Sequence, residues 1–82
     1  MKRSKYQIIS QILDICVGGA CKTKIVYQAN LNFRTINPYI DLLTKNGLIK
    51  ANMGRNVSYE TTNRGMKLME DFRQMNNKLT EL

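Results

Sequence analysis

The sequence contains no histidine and no tryptophan, and only one proline and two cysteines in 82 residues. Without histidine the commonest general base is missing. The six carboxylates, Asp14, Asp41, Glu60, Glu70, Asp71 and Glu81, fall on expected helix surfaces and a strand rather than pairing at one site. "VGGACKTK" lacks the glycine spacing of a phosphate-binding loop. No enzyme is expected. Two cysteines cannot supply the four ligands of a structural zinc site within one chain, so neither metal nor cofactor is expected. Across "CVGGAC" the glycines could bring Cys16 and Cys21 together as a redox-sensing disulfide. The duller alternative, a buried small thiol plus a bystander, carries more weight because buried cysteines are usually inert.

Long apolar runs are also missing. The longest, Ile12 to Cys16, is broken by Asp14, far short of the roughly 20 residues a membrane span requires. The start "MKRSKYQIIS" leads into a periodic pattern rather than the continuous apolar stretch of an export signal. The expectation is a soluble cytoplasmic protein with no membrane partner, and no small-molecule ligand is evident. Eighty-two residues with 43% apolar content suffice for one core and not for two.

Acidic residues are scarce as well: 13 Lys and Arg face 6 Asp and Glu, a net charge of +7. Residues 1–55 hold nine basic and two acidic groups, whereas residues 56–82 hold four of each. All of the excess lies in the first two thirds, which suits a polyanionic partner there.

What is present is helical periodicity interrupted by turn signals. From Ser4 to Val17, Ile8, Ile9, Ile12, Leu13, Ile15 and Cys16 share one side of a 3.6-residue wheel, and Gly18-Gly19 stop the helix. Ile25, Val26 and Ala29 give a short second helix over 22–29. Asn30 and Asn32 around Leu31 read as a tight turn, since asparagine tolerates left-handed backbone angles and caps the helix that follows. The third helix runs from about Phe33 to Asn46. Phe33, Tyr39, Ile40 and Leu43 gather within about sixty degrees of Ile36 on its wheel, and Arg34, Pro38, Asp41 and Lys45 form the opposite row. Asp41 is expected to pair with Lys45 at i+4. Asn46-Gly47 ends the helix.

Leu48-Ile49 and Val57 to Tyr59 are β-favouring runs joined through Asn52, Gly54 and Asn56, which reads as a hairpin. Thr62 is the expected N-cap of the last helix. There Leu68, Phe72, Met75, Leu79 and Leu82 are spaced four, three, four, three, as in a heptad seam.

Helix, helix, turn, helix, hairpin, helix is the order of a winged helix-turn-helix, mainly α with a small β-hairpin. In such a unit the second helix holds the third away from the body, so that its free face and first turn can enter a major groove of double-stranded DNA. Asn32, Arg34, Thr35 and Asn37 open that helix, and arginine or asparagine makes paired hydrogen bonds to guanine or adenine edges. Thr23 and Lys24 could hold phosphates at the start of the second helix. Lys45 lies further along the outward row, and Lys50, Arg55 and Asn56 load the wing. Each has a plainer role available: Arg34 and Lys45 as solvated positions, Asn32 as a cap alone, Arg55 as a loop charge.

Pro38 admits two arrangements. With Asn32 as cap it is the sixth helical residue and denies the carbonyl of Arg34 its hydrogen bond, predicting a kink or a loosened first turn. With Asn37 as cap it starts the helix, and "NFRTI" forms a separate turn. Both leave Arg34 outward.

Over "CKTKIVYQANLNFRTINPYIDLLTKNGLI" and "YETTNRGMKLME" the chain resembles the small archaeal winged-helix DNA-binding proteins. In these a K-T-x-I-x-Y-x-A-N-L helix precedes an L-[NS]-[FY] helix, followed by G-L-I and a T-x-x-G helix start. The resemblance covers about residues 4–72. It implies a transcriptional regulator or nucleoid-associated protein dimerising through its last helix as an antiparallel coiled coil. It places the groove helix at Asn32 to Lys45 and the wing at about Lys50 to Ser58. Pro38 departs from the lysine, glutamate or glutamine expected at its place.

The apolar stripe Leu68, Phe72, Met75, Leu79, Leu82 also exceeds what a small body needs, which favours a homodimer interface. The competing arrangement packs Met66, Leu68, Met69 and Phe72 on the first helix. Residues 1–62 would then be the DNA-binding domain and 63–82 the dimerisation helix of one compact unit. Two other functions fit the same fold: a sequence-indifferent nucleoid or chromatin protein, and a winged helix used for protein–protein contact.

Overall fold

The computed structural model describes residues 3–81, with side chains to residue 78. Four α-helices and one hairpin follow the expected order: α1 (Lys5–Ile15), α2 (Lys22–Ala29), α3 (Phe33–Lys45), β1 (Ile49–Asn52), β2 (Ser58–Thr61) and α4 (Asn63–Glu81). The fold is a winged helix, mainly α, with a two-stranded antiparallel sheet.

Local chemistry sets the boundaries. Ser4 caps α1 through a capping box, its hydroxyl accepting from the Gln7 amide at 3.1 Å while its own amide donates to Gln7 Oε1 at 2.7 Å. The helix is two residues shorter than its periodicity suggests, because Cys16–Gly18 tighten into a 3-10 turn. Asn30 sits left-handed at φ 55° and closes α2, and Asn32 caps α3 by accepting from the Thr35 amide at 2.8 Å. Past α3, Gly47 takes φ +70°, where any side chain would be strained.

Among the described residues, Ile12, Leu13, Cys16, Ile25, Ile36, Leu43 and Ile49 are the largest fully buried side chains, drawn from α1, the 3-10 turn, α2, α3 and β1, and they meet in one core. At roughly 1.5–3 kcal/mol for each large aliphatic side chain removed from water, this cluster supplies the main drive for folding. Thr61 is buried among them at no polar cost, since its hydroxyl donates to the Leu13 carbonyl at 2.6 Å.

Four sequence-based expectations need correction. Phe33 is 48% exposed rather than part of the core stripe; Ile36, Ile40 and Leu43 carry α3's buried face, with Tyr39 half-buried beside them. Phe33 is the first residue of the helix, where fewer neighbours are available to cover it. The strands lie later than their β-favouring runs, pairing Ile49 with Thr61, Lys50 with Glu60, Ala51 with Tyr59 and Asn52 with Ser58. Backbone pairing here overrides side-chain preference. The helix is continuous through Pro38 under the Asn32 cap, which rules out Asn37 as the start. Pro38 is exposed, so water can reach the carbonyl of Arg34 that the proline leaves without an i+4 donor. Finally, Asp41 and Lys45 form no ion pair.

One pairing has no counterpart in the sequence reading. Ala20, between Gly19 and α2, exchanges two backbone hydrogen bonds with Tyr59, at 2.9 and 2.8 Å, and extends the hairpin by a single bridge. The "CVGGAC" linker is thereby pinned to β2.

Candidate nucleic-acid interface

The candidate surface depends on the turn between α2 and α3, which sets the direction of α3. Arg3 latches the end of α2: its guanidinium donates to the carbonyls of Ala29 at 2.5 Å and Asn30 at 3.1 Å, and to Gln11 Oε1 at 2.7 Å. A cation at a helix C-terminus answers both the unsatisfied carbonyls and the helix dipole. The Arg3 charge is therefore spent on the fold, a role that nothing in the basic segment 1–5 reveals.

Opposite the buried row of α3, Arg34, Asn37, Pro38, Asp41 and Lys45 are exposed. No acidic residue stands in the first turn of α3. Thr35 is only half-exposed, and the Asn32 carboxamide oxygen is used for the cap, leaving its amide NH2 outward. At α2, Thr23 and Lys24 are exposed in the first turn, behind a Cys21 N-cap that makes no side-chain bond. That leaves the first amides of α2 without a capping oxygen.

The hairpin presents Lys50, Arg55 and Asn56, all exposed. Lys50 is partly neutralised, lying 3.9 Å from Glu60, which also accepts from Asn52 at 3.0 Å. The Lys50–Glu60 rung becomes visible only once the strand register is fixed. The other two ion pairs, Lys67–Asp71 and Arg73–Glu70, lie on α4. Among the described residues, no ion pair involves a residue before Lys50. The positive charge of α2, α3 and the wing tip is thus left without internal compensation.

Several exposed apolar groups near this surface escaped the sequence reading: Tyr27 at 86% exposure, Phe33, and Met53 at 79% on the wing. Helical periodicity places Tyr27 off the Ile25–Ala29 stripe, which is the signal that could have found it.

The cysteines behave differently from one another. Cys16 is buried and Cys21 exposed, both as free thiols. Burial pushes the Cys16 thiol up to about 11, against a small opposing pull from the Lys24 charge. Among the described residues no group of histidine, cysteine or carboxylate side chains could hold a metal ion, and no helix is long and apolar enough to cross a membrane.

On the far side, the expected dimer residues divide. Leu68 and Phe72 are half-buried against the chain's own core, and the Phe72 ring meets Tyr6 edge-on at 6.0 Å. Met75 is 60% exposed. Leu79 and Leu82 lie outside the described side chains. Between α1 and α4 runs an open groove of about 840 Å³, lined by Tyr6, Gln7, Gln11, Phe72, Met75 and Asn76 among others. No such groove was legible in the sequence.

This fold, with an outward third helix and a hairpin beside it, defines a winged helix-turn-helix protein, and the chain belongs to that family, whose model matches residues 2–80. Among its relatives is an uncharacterized protein of Methanocaldococcus jannaschii, MJ0287, which is 43% identical over 94% of this chain and 81% of its own length. The crystal structure of Sso10a-2, a DNA-binding protein from Sulfolobus solfataricus, superposes with a TM-score of 0.81. It is 26% identical, over 96% of this chain and 87% of that one. Bordetella bronchiseptica BpsR shares the fold with a TM-score of 0.75 at 20% identity, over 98% of this chain and 59% of its own.

Proposed function

We propose that the protein is a dimeric double-stranded DNA-binding protein, acting as a transcriptional regulator, that inserts α3 in the major groove and lays the wing along the flanking backbone. The observation that carries this reading is the uncompensated outward row of α3. Arg34 and Lys45 stand opposite the buried Ile36, Ile40 and Leu43, without a carboxylate partner. The likeness to Sso10a-2, itself a DNA-binding protein, supports it. In this arrangement Arg34 and Asn37 read base edges, with Asn32 and Thr35 beside them. Thr23, Lys24, Lys45, Lys50, Arg55 and Asn56 contact phosphates. Binding rather than catalysis is its work, and its place is the nucleoid in the cytoplasm.

The dimer forms through 63–82, where Met75 and the α1–α4 groove offer apolar surface to a second copy, with Leu68, Phe72, Leu79 and Leu82 continuing the seam. Two-fold symmetry then demands a palindromic or pseudo-palindromic site. A second reading, sequence-indifferent binding in the nucleoid, is favoured by one feature: the Asn32 oxygen is committed to a cap and Thr35 is half-covered, which thins the base-reading set.

A mobility-shift titration across salt tests the proposal. Affinity should fall steeply as counterions are released, with a slope of about −0.9 per neutralised phosphate, and Arg34→Ala should weaken binding by roughly 1–3 kcal/mol. No duplex binding at low salt rejects it. Equal affinity for unrelated duplexes selects the sequence-indifferent form.

A further inference from the structure

Arg3 and Lys5 give the opening segment the composition of an arm laid on a polyanion, yet the arginine is committed elsewhere. Lys5 is exposed, whereas Arg3 is half-buried. The Arg3 guanidinium joins two elements. One nitrogen donates to Gln11 Oε1 on α1 and to the Ala29 carbonyl at the end of α2, and the other donates to the Asn30 carbonyl in the turn. Moving Arg3 onto a phosphate would break all three bonds and strip the carbonyl of the buried Ala29 of this donor.

α2 needs such a tie. It is eight residues long, its buried side chains are Ile25 and Ala29, and its N-cap makes no side-chain bond. At its other end the Asn30 amide bonds the Tyr27 carbonyl at 3.3 Å and the Leu31 amide bonds the Val26 carbonyl at 3.0 Å. The next two carbonyls along the chain, those of Ala29 and Asn30, are the ones that Arg3 takes. Only Leu31 and the Asn32 cap separate this latch from Phe33, the first residue of α3. The direction in which Arg34 and Asn37 leave the body is thus set a few residues from the atoms that Arg3 holds to α1.

We propose that Arg3 is a positioning residue for duplex binding: it touches no DNA, and by clamping the end of α2 to α1 it fixes the angle at which α3 meets the groove. This rests on the duplex-binding reading above. The shape of the guanidinium matters as well as its charge. Its planar fork reaches two successive carbonyls in one fixed geometry, whereas the ammonium of lysine answers the helix dipole as a point charge and leaves the turn free to rotate.

Fluorescence anisotropy of the full chain with a labelled duplex, over a salt series and at a temperature where circular dichroism shows each variant folded, tests the assignment. Arg3→Gln should weaken binding about 5- to 20-fold, comparable to losing one paired base contact, with the salt slope unchanged. Arg3→Lys should recover only part of that loss. In nitrogen-resolved NMR spectra of the guanidinium groups, the Arg3 Nη signals should stay in place when duplex is added, while those of Arg34 move. Wild-type affinity in Arg3→Gln overturns the proposal. A slope lower by about one would make Arg3 a phosphate contact, and full recovery by Arg3→Lys would make charge alone sufficient; either overturns it too. Should Arg3→Gln fail to fold, Arg3→Lys and Gln11→Ala, which removes one of the three acceptors, carry the comparison, and wild-type affinity in both overturns the clamp. Absence of duplex binding by the wild type at low salt overturns the underlying reading instead.

Discussion

The hydroxyl of Thr62 donates to the carbonyl of Gly47 at 2.6 Å and accepts from the amide of Gly65 at 3.2 Å, so one side chain ties the end of α3 to the start of α4. The Thr62 amide adds a bond to the Leu48 carbonyl at 3.0 Å. Through this knot the hairpin is held between the two helices. Thr62→Val keeps the shape and deletes both hydroxyl bonds, and should cost about 1–2 kcal/mol. Thr62→Ser should recover most of that. Urea denaturation measures both, and an unchanged midpoint for Thr62→Val would show that the tie contributes nothing.

Gly65 sits one helical turn beyond that knot, where a Cβ would lie 2.2 Å from the Leu48 carbonyl oxygen and 2.6 Å from Thr61 Cγ2. Backbone occupies the space, and a backbone cannot swing aside as a long side chain can. Gly65→Ala gains about 1 kcal/mol of helix propensity but forces α4 off the hairpin, a strain of about 1–3 kcal/mol or more. The expected net effect is loss of stability in thermal unfolding. A more stable Gly65→Ala protein would contradict the close approach.

Much of this fold was legible because its signals are local. Asn30, Asn32 and Gly47, and Thr62 as the cap on the Gly65 amide, each act on backbone within a few residues, and the row of Ile36, Ile40 and Leu43 needs only a period of 3.6. The misses are non-local. The Ala20–Tyr59 bridge, the latch of Arg3 on the end of α2 and the Lys50–Glu60 rung join residues whose proximity depends on the completed fold. The Asp41–Lys45 pair fails for a different reason: helical spacing permits that contact, but two exposed side chains gain little from it in water. The outward row of α3 was readable from one wheel, and the same kind of wheel on α2 sets Tyr27 off the buried stripe, whereas Phe33 and Met53 were not readable, because exposure of an apolar group cannot be read from its type.

Cys16 makes stability depend on alkaline pH. Its thiol is raised by burial from 9.0 to about 11 in the folded protein. Above pH 9 the unfolded chain loses this proton while the folded chain keeps it, so the unfolded state binds fewer protons and stability falls as pH rises from 9 to 11. Full stability from this group is present below pH 9, and about 2–3 kcal/mol is withdrawn across the window. Cys16→Ala should lower stability at neutral pH through the lost packing, yet the gap to wild type should narrow as pH rises. A constant gap from pH 8 to 11 would contradict the burial. With a thiol reagent at pH 8, Cys21 should react and Cys16 should remain protected in the folded protein.

Self-association and monomer stability separate at Met75 and Phe72. Met75 is 60% exposed, so Met75→Glu should leave unfolding of the monomer nearly unchanged while dispersing the proposed dimer in sedimentation velocity. Phe72 packs on Tyr6 and the core, and Phe72→Ala should lower stability by about 3 kcal/mol or less, its side chain being only half-buried. A dimer that survives Met75→Glu places the seam elsewhere than α4.

Asp41 gives the most direct measure of how far α3 lies in a groove. It stands on the outward row seven residues from Arg34, about 10 Å along the helix, and no cation within ion-pair distance neutralises it. If the middle of α3 faces phosphates, this carboxylate opposes binding. At exposed sites a unit charge at about 4 Å from another is worth about 1 kcal/mol in water, which corresponds to roughly fivefold. Asp41→Asn should therefore tighten duplex binding about two- to fivefold at low salt. The gain should fade toward 1 M salt, where the screening length falls to about 3 Å. Unchanged affinity at every salt concentration would mean that only the first turn of α3, with Arg34 and Asn37, approaches the DNA. Loss of binding at one sequence but not others would mean that Asp41 accepts from a cytosine amine, converting an electrostatic liability into base readout.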